Sequence, residues 1–199
     1  MDSDEKKDSY LTRNTLLLRA VNQKDEHAWE EFVAYYRPFI RIILRYFKIQ
    51  DTEIDDISQT VILNLWKNLE KFDAERSKFR TWLTAVIRNS IRTIKMKQSK
   101  DRDRDSRYFE EKSELSEEKM SEIFDREWRL YLTNVALENI KNSFSGKAIE
   151  VFLMSLENKS IEDISATLDL KENSVYRLRK RVQEQLAQEI KRLRMELEN

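Results

Sequence analysis

Two adjacent carboxylates and a nearby amide, Asp55, Asp56 and Gln59, form the first group whose residue types could support chemistry. Paired carboxylates can act in acid–base catalysis or bind a cation, but both functions need partners that this sequence does not supply. The one histidine, His27, lies in another predicted helix, and the chain has no cysteine and no glycine-rich phosphate loop. The sequence therefore predicts no catalytic site, no metal site and no cofactor. A protein-docking face and plain solvated acids are the interpretations that stay open for these three residues.

A second group lies on the helix predicted after Ser77, in a run from Lys78 to Lys100 that contains no acidic residue. One stripe of this helix carries Lys78, Trp82, Ala85, Asn89 and Arg92, with Arg88 and Lys95 beside it. A planar ring, an amide and cations can stack on unpaired bases and hydrogen-bond to them. In isolation, Trp82 is better interpreted as a core residue, but the acid-free run around it favours a contact with a single strand.

A third group occupies the start of the last predicted helix: Lys171, Asn173, Ser174, Tyr176, Arg177, Arg179, Lys180 and Arg181. Basic side chains bind phosphates, and Asn, Ser, Tyr and Arg side chains can contact base edges. A solvated helix face would explain the charges equally well. However, a short helix that starts at the capping-box pattern Ser160-Ile161-Glu162-Asp163 and a tight turn at 169–171 precede them. This order favours a helix-turn-helix whose second helix enters a major groove.

Apolar spacing predicts the helices that must position these groups. A stripe at intervals of three and four residues places Asp55, Asp56 and Gln59 on an outer face, and its members are Ile54, Ile57, Val61, Leu65 and Leu69. Before it, we expect a helix break at Pro38, because proline lacks an N–H and clashes with the preceding turn. Trp29, Trp66 and Trp128 lie at core spacing and are predicted to pack inside the protein.

The composition predicts an all-α protein, since one glycine and one proline in 199 residues leave few turn residues for β-hairpins. We expect a tail and short helix at 1–24 and a helical domain at 25–98. A charged linker at 99–126, for which an exposed helix is the alternative, and a helix-turn-helix domain at 127–199 follow. Lys plus Arg and Asp plus Glu are equal at 37 each, so nucleic-acid binding must rest on local charge segregation. No apolar run is long enough for a membrane span, which predicts a cytoplasmic protein without a membrane partner.

Several motifs in the right order resemble bacterial sigma factors of the sigma-70 family, in particular the extracytoplasmic-function (ECF) type with only regions two and four. The motifs are Thr15-Leu16-Leu17, Ala28-Trp29-Glu30-Glu31-Phe32-Val33, Asp55-Asp56-Ile57-Ser58-Gln59, Phe79-Arg80-Thr81-Trp82-Leu83 and Ser174-Val175-Tyr176. The resemblance implies that Asp55, Asp56 and Gln59 dock on the clamp helices of core RNA polymerase. It also implies that the helix from Lys171 reads the minus-thirty-five element of promoter DNA.

The same resemblance places Trp82, Arg88, Asn89 and Arg92 where the minus-ten element is melted and a flipped base is read. We add Lys78, Arg80 and Lys95 to this predicted minus-ten set, so the expected partners include double-stranded and single-stranded promoter DNA. The chain departs from the family at the turn, where Asp169 stands in place of the usual glycine, and at Lys171, where a hydroxyl residue is usual. Asp can adopt the left-handed conformation at moderate cost, so the first departure is compatible with the fold. The departure at Lys171 affects the preferred promoter sequence rather than the class.

The function expected from these observations is that of a dissociable sigma subunit without enzymatic activity. One alternative is a helix-turn-helix regulator whose N-terminal bundle senses a signal or dimerises, and another is a helical adaptor that binds no DNA. The acid-free helix favours the sigma subunit, because a sensing domain has no need of a second nucleic-acid face. Whether an anti-sigma factor is a further partner stays open at this level.

Overall fold

The computed structural model of the chain describes residues 16–21, 26–69, 71–73, 76–101 and 117–198. Within these ranges the regular structure consists of helices, and no strand occurs. The helices are α1 (Leu16–Val21), α2 (Glu26–Tyr46), α3 (Asp51–Leu69), α4 (Phe79–Asp101), α5 (Glu117–Lys141), α6 (Ala148–Leu156), α7 (Ile161–Leu168) and α8 (Glu172–Leu197). The predicted all-α class is confirmed. None of these described helices has both the length and the apolar character that crossing a bilayer requires.

The chain divides into two compact units. The first unit comprises Met1–Arg129 together with Glu196–Asn199, and the second comprises Leu130–Met195. This division differs from the domain limits expected from the sequence, because the first part of α5 belongs to the first unit. The functions assigned to the two predicted domains stay predictions.

The first unit is built on apolar stripes of α2, α3 and α4, of which the stripe of α3 was predicted above. Fully buried members of these stripes are Phe32, Tyr36, Ile40, Ile54, Val61, Leu65, Phe79, Leu83 and Ile87. Burying one such side chain stabilises the fold by about 1.5–3 kcal/mol relative to leaving it in water. The opposite faces of α3 and α4 are therefore left at the surface, where their polar residues can meet partners.

Pro38 lies inside α2, which runs without a break from Glu26 to Tyr46, so the predicted helix break is wrong. Proline removes the hydrogen bond that its own N–H would donate to the carbonyl of Ala34. Both residues are exposed, so water can satisfy that carbonyl. Buried side chains on both sides of the proline, including Tyr36 and Phe39, hold the helix together. Their packing outweighs a local cost of about 3 kcal/mol.

The segment predicted as a charged linker, 99–126, is helical at both of its ends. Helix α4 extends to Asp101 and α5 begins at Glu117, while residues 102–116 lie outside the described residues. Met120, Ile123 and Phe124 are buried, with exposed fractions of 9%, 8% and 3%. Their spacing of three and four residues is helical. The packed part of α5 therefore begins before Trp128. The surrounding acids lowered the hydrophobicity of the segment and hid this stripe.

In the second unit, α6, α7 and α8 share a small core. Val151, Ile164 and Val175 are fully buried and contribute one residue from each of the three helices. Partly buried apolar side chains pack against them, namely Met154, Ile161, Leu168, Leu170 and Leu178. This core fixes α8 through its apolar face and leaves the polar residues near its start facing outward.

Candidate functional sites

The predicted minus-ten residues lie on or next to α4, and most of them are accessible. Lys78 precedes the helix and is exposed, and its carbonyl accepts a hydrogen bond of 3.2 Å from the backbone N–H of Trp82. Asn89 and Arg92 are exposed, whereas Trp82 and Arg88 are half-buried. The side chain of Lys95 lies outside the described residues. The structure thus brings Lys78, Trp82, Asn89 and Arg92 to one side of a single helix.

Trp82 belongs partly to the core and partly to the surface. Its ring centroid lies 5.5 Å from that of Phe79 and 5.6 Å from that of Phe72, both in tilted arrangements. These contacts support the reading of Trp82 as a packing residue, while its partial exposure leaves room for a stacking partner. Both interpretations from the sequence therefore describe a part of this side chain.

Arg80 is separated from the other predicted minus-ten residues. Its Nη2 donates to Oδ1 of Asp125 at 2.6 Å, and its Nη1 donates to Oε1 of Glu198 at 3.3 Å. The Arg80 side chain is 28% exposed. Arg80 follows Lys78 by two positions, which corresponds to a rotation of about 200° around a helix axis. Arg80 therefore points away from the stripe that begins at Lys78. In this structure its guanidinium is bound by two carboxylates of the same unit.

The predicted minus-thirty-five residues lie around the first turns of α8. Lys171, Asn173, Tyr176, Arg177, Lys180 and Arg181 are exposed, and Ser174 and Arg179 are half-buried. The guanidinium of Arg179 lies 5.5 Å from the ring centroid of Tyr176, and that of Arg181 lies 5.3 Å from the ring of Phe144. Cation–π contacts of this kind limit the freedom of the side chains before any ligand is bound. This surface is basic and open to solvent, and cation–π contacts hold two of its arginines.

The turn between α7 and α8 has Asp169 in place of the usual glycine, and side chains stabilise both ends of α7. Asp169 has φ 48° and ψ 57°, the left-handed conformation that the sequence required of it. The Nζ of Lys147 donates to the carbonyl of Leu168 at the end of α7, where a cation is favourable to the helix dipole. At the other end of α7, Ser160 accepts from the backbone N–H of Asp163 at 3.1 Å, so the predicted cap is confirmed.

The predicted polymerase-docking residues Asp55, Asp56 and Gln59 are all exposed on α3. Asp55 forms an ion pair with Arg41 of α2, so it is partly neutralised within the chain. Asp56 and Gln59 are separated by three residues and therefore share a face of the helix. Among the residues that the structure describes, no cluster of three or more His, Cys, Asp or Glu could hold a metal ion.

A surface groove adjoins Gln59, and sequence reasoning did not identify it. The groove has a volume of about 660 Å³, and its apolar lining includes Trp29, Val33, Leu63 and Trp66. The rings of Trp29 and Trp66 meet edge to face with centroids 4.6 Å apart. Leu63 is 49% exposed. The sequence feature that could have indicated the groove is Leu63, an apolar residue outside the buried stripe of α3.

The matched segment of a known family covers the helices that carry two of these surfaces. A family model described as Sigma-70 region 2 matches residues 32–101, which include most of α2 and all of α3 and α4. Residues 32–101 of this chain are therefore similar to sigma-70 region 2. The matched segment contains the motifs around Asp55 and Phe79 that resemble sigma factors of the ECF type, and it agrees with that resemblance over this part of the chain.

Individual proteins that this chain resembles are distant from it. The chain is 28% identical over 79 residues to "RNA polymerase sigma factor NccH" of Alcaligenes xylosoxydans xylosoxydans. This similarity spans 40% of the chain and 42% of the relative, less than half the length of either. A solved structure, "Structure of CnrH in complex with the cytosolic domain of CnrY", is 22% identical. The similarity covers 86% of this chain and 92% of that one, with a TM-score of 0.35.

Proposed function

We propose that this chain is a member of the sigma-70 family and a sigma subunit that binds core RNA polymerase and directs promoter-specific initiation of transcription. The observation that carries the proposal is helix α4, which has no acidic residue from Phe79 to Lys100 and exposes Asn89 and Arg92 and part of Trp82 on one side. Cations can hold a DNA backbone there while the amide and the indole engage unpaired bases. A protein that only bound duplex DNA would not need this combination of groups.

The polymerase contact is assigned to α3. Asp56 and Gln59 are exposed on one face, with Asp55 beside them in its ion pair with Arg41. This acidic face is distinct in charge from the basic helix α4 of the same unit. A basic protein surface would be complementary to α3, whereas DNA would be repelled by it, so the two surfaces select different partners.

The minus-thirty-five contact is assigned to α8. Lys171 and Asn173 lie at the start of this helix, where residues of a recognition helix reach base edges. Arg177, Lys180 and Arg181 are exposed further along and can neutralise phosphates. The Lys180 ammonium lies 3.8 Å from the Glu184 carboxylate, a loose and exposed pair that a phosphate could replace.

A charge reversal on α3 tests the proposal. Asp56→Lys should weaken the binding of purified core polymerase by more than about 100-fold, because juxtaposed like charges cost several kcal/mol at an interface. Glu122→Lys is the matched control, since Glu122 is also an exposed acid of the first unit but lies on α5. Binding is measured by fluorescence anisotropy of the labelled chain, and circular dichroism checks the fold. Equal affinity for both variants and the unaltered chain would refute the assigned docking face.

A further inference from the structure

Leu197 and Glu198, at the end of α8, belong to the first unit, where three hydrogen-bond donors hold them. The hydroxyl of Tyr36 donates to the carbonyl oxygen of Leu197 at 2.6 Å, in buried surroundings. Nε1 of Trp128 donates to Oε1 of Glu198 at 2.7 Å, and Nη1 of Arg80 donates to the same oxygen at 3.3 Å. A phenol, an indole and a guanidinium from three different helices therefore converge on two adjacent residues.

The surroundings of these donors are apolar and aromatic. The rings of Tyr36 and Trp128 stack with centroids 5.5 Å apart and an interplanar angle of 9°. Phe39 meets Trp128 edge to face at 4.8 Å. Leu197 has no exposed surface, and the Glu198 side chain is 15% exposed. The arrangement combines burial for a leucine with charge-assisted hydrogen bonds for a carboxylate, and such bonds are about twice as strong as neutral ones.

Arg80 joins this site to α5. One nitrogen of its guanidinium binds Asp125 at 2.6 Å while another binds Glu198. A cation shared by two carboxylates has its charge more than neutralised locally, so the approach of a DNA phosphate would be opposed. Arg92, in contrast, is exposed on the other side of the same helix. Arg80 and Arg92 therefore have different electrostatic environments.

We propose that Tyr36, Arg80 and Trp128 form a recognition site for the acidic segment Leu197–Glu198, and that Arg80 positions this segment and does not contact DNA. The site goes beyond the proposed promoter function and revises the set of residues predicted for the minus-ten element. It also makes the first unit dependent on residues at the very end of α8. Arg80 is a positioning residue, since it acts through the carboxylates that it holds.

A double-mutant cycle in the full chain tests the site without any DNA. Arg80→Gln and Glu198→Gln should each lower the thermal transition of the first unit by roughly 3–8 °C, because each removes one charge of a partly buried, charge-assisted hydrogen bond. The double variant should be no more than about 2 °C below the worse single variant, since both changes remove one shared interaction. Glu122→Gln, an exposed acid of α5, is the control and should leave the transition within about 1 °C. Additive effects, or no effect of either single variant, would overturn the proposal.

A salt titration of promoter binding tests the DNA part of the proposal and rests on the proposed function. Arg80→Gln should leave the salt slope unchanged, whereas Arg92→Gln should reduce it by about one unit. A slope reduced equally by Arg80→Gln would make Arg80 a phosphate contact and contradict the inference. If no variant binds promoter DNA at all, the promoter function fails, and the unfolding cycle alone decides the segment site.

Glu198→Gln supplies an independent readout if Arg80→Gln does not fold. Hydrogen exchange of the full chain should become faster at residues 120–128, which carry Asp125 and Trp128, and should stay unchanged in α6 and α7 of the second unit. Unchanged exchange at 120–128 would show that the segment does not stabilise this region, and would overturn the site.

Discussion

The ring of Trp82 lies 5.5 Å from the ring of Phe79, with an angle of 38° between their planes. Phe79 is buried at 1% exposure, whereas Trp82 keeps part of its surface in solvent. One residue thus anchors α4 in the core, and the other connects that core to the surface proposed to meet unpaired bases. Substitutions at the two positions should separate folding from function.

Trp82→Leu should preserve the fold and the affinity for duplex promoter DNA but impair strand opening. Leucine can still pack against Phe72 and Phe79, but it offers no ring for stacking, which is worth roughly 1–3 kcal/mol per base. Permanganate reactivity of promoter thymines measures the open fraction, which should fall by about 5- to 100-fold. Phe79→Leu is the control for a packing defect, and it should lower the melting temperature more than it changes opening at 25 °C. If Trp82→Leu only unfolds the first unit, Trp82 is a core residue and nothing more.

Asn89 and Arg92 are neighbours on α4 with different predicted roles. Arg92→Gln should weaken binding to all promoter sequences and reduce the salt slope by about one unit, since one phosphate contact is lost. Asn89→Ala should leave the slope unchanged and alter the base preferred at one minus-ten position, by about 1–3 kcal/mol. Filter binding over a salt series, with a template set varied at each position, separates the two effects. A change of slope alone for Asn89→Ala would contradict its base-reading role.

The sequence correctly predicted the elements that carry a regular apolar stripe. It was misleading where a single proline or a cluster of acids dominated the local pattern. The stripe of Ile54, Val61 and Leu65 predicted α3 and its outer face. At Pro38, local backbone chemistry predicted a break that long-range packing overrides. The acids around Ile123 and Phe124 suggested a linker, although the helical spacing of these two residues was present in the sequence.

The candidate sites likewise have parts that helical spacing predicts and parts that depend on tertiary structure. Helical periodicity was enough to place Asn89 and Arg92 on the surface and to group the basic residues of α8. It could not reveal that Arg80 binds Glu198, because 118 residues separate them and no periodicity links such distant positions. The groove beside Gln59 required the contact between Trp29 and Trp66, which also depends on tertiary structure.

The left-handed residue Asp169 leads to a prediction about the turn before α8. Asp169→Gly should stabilise the second unit by up to about 1 kcal/mol, because glycine adopts φ 48° without steric cost. Asp169→Ala should destabilise it by about 1 kcal/mol, since alanine has a Cβ but no polar side chain that supports this conformation. Urea unfolding followed by circular dichroism measures both changes. A glycine variant less stable than the unaltered chain would show that the Asp169 side chain is needed for another reason.

Glu189 gives a prediction about pH. Hydrogen bonds of 2.8 and 2.9 Å from Arg192 lower the pKa of the Glu189 carboxyl below its ordinary value, and a bond of 2.8 Å from Asn139 adds to this effect. A lowered pKa in the folded state stabilises the fold above the unfolded pKa, and this contribution is lost as the pH falls through the folded value. Glu189→Gln should therefore cost about 1 kcal/mol near pH 7 and almost nothing below the folded pKa.

The measurement for Glu189 is the free energy of unfolding from urea titrations between pH 7 and pH 3. Glu184→Gln is the control, because Glu184 is exposed and its only described ion pair, with Lys180, spans 3.8 Å. This variant should change the stability by less than about 0.5 kcal/mol. A cost of Glu189→Gln that grows as the pH falls would contradict the assignment.

Transcription by core polymerase is the most direct test of the proposed sigma function. Purified bacterial core enzyme is supplied with a linear template library carrying randomised upstream sequences, alone, with the unaltered chain, or with Asp56→Lys. RNA sequencing then reports the start sites. The chain should produce transcripts that start at a fixed distance from two enriched upstream elements, and core alone or with Asp56→Lys should not. The same start sites and the same yield with and without the chain would contradict the claim that it directs initiation.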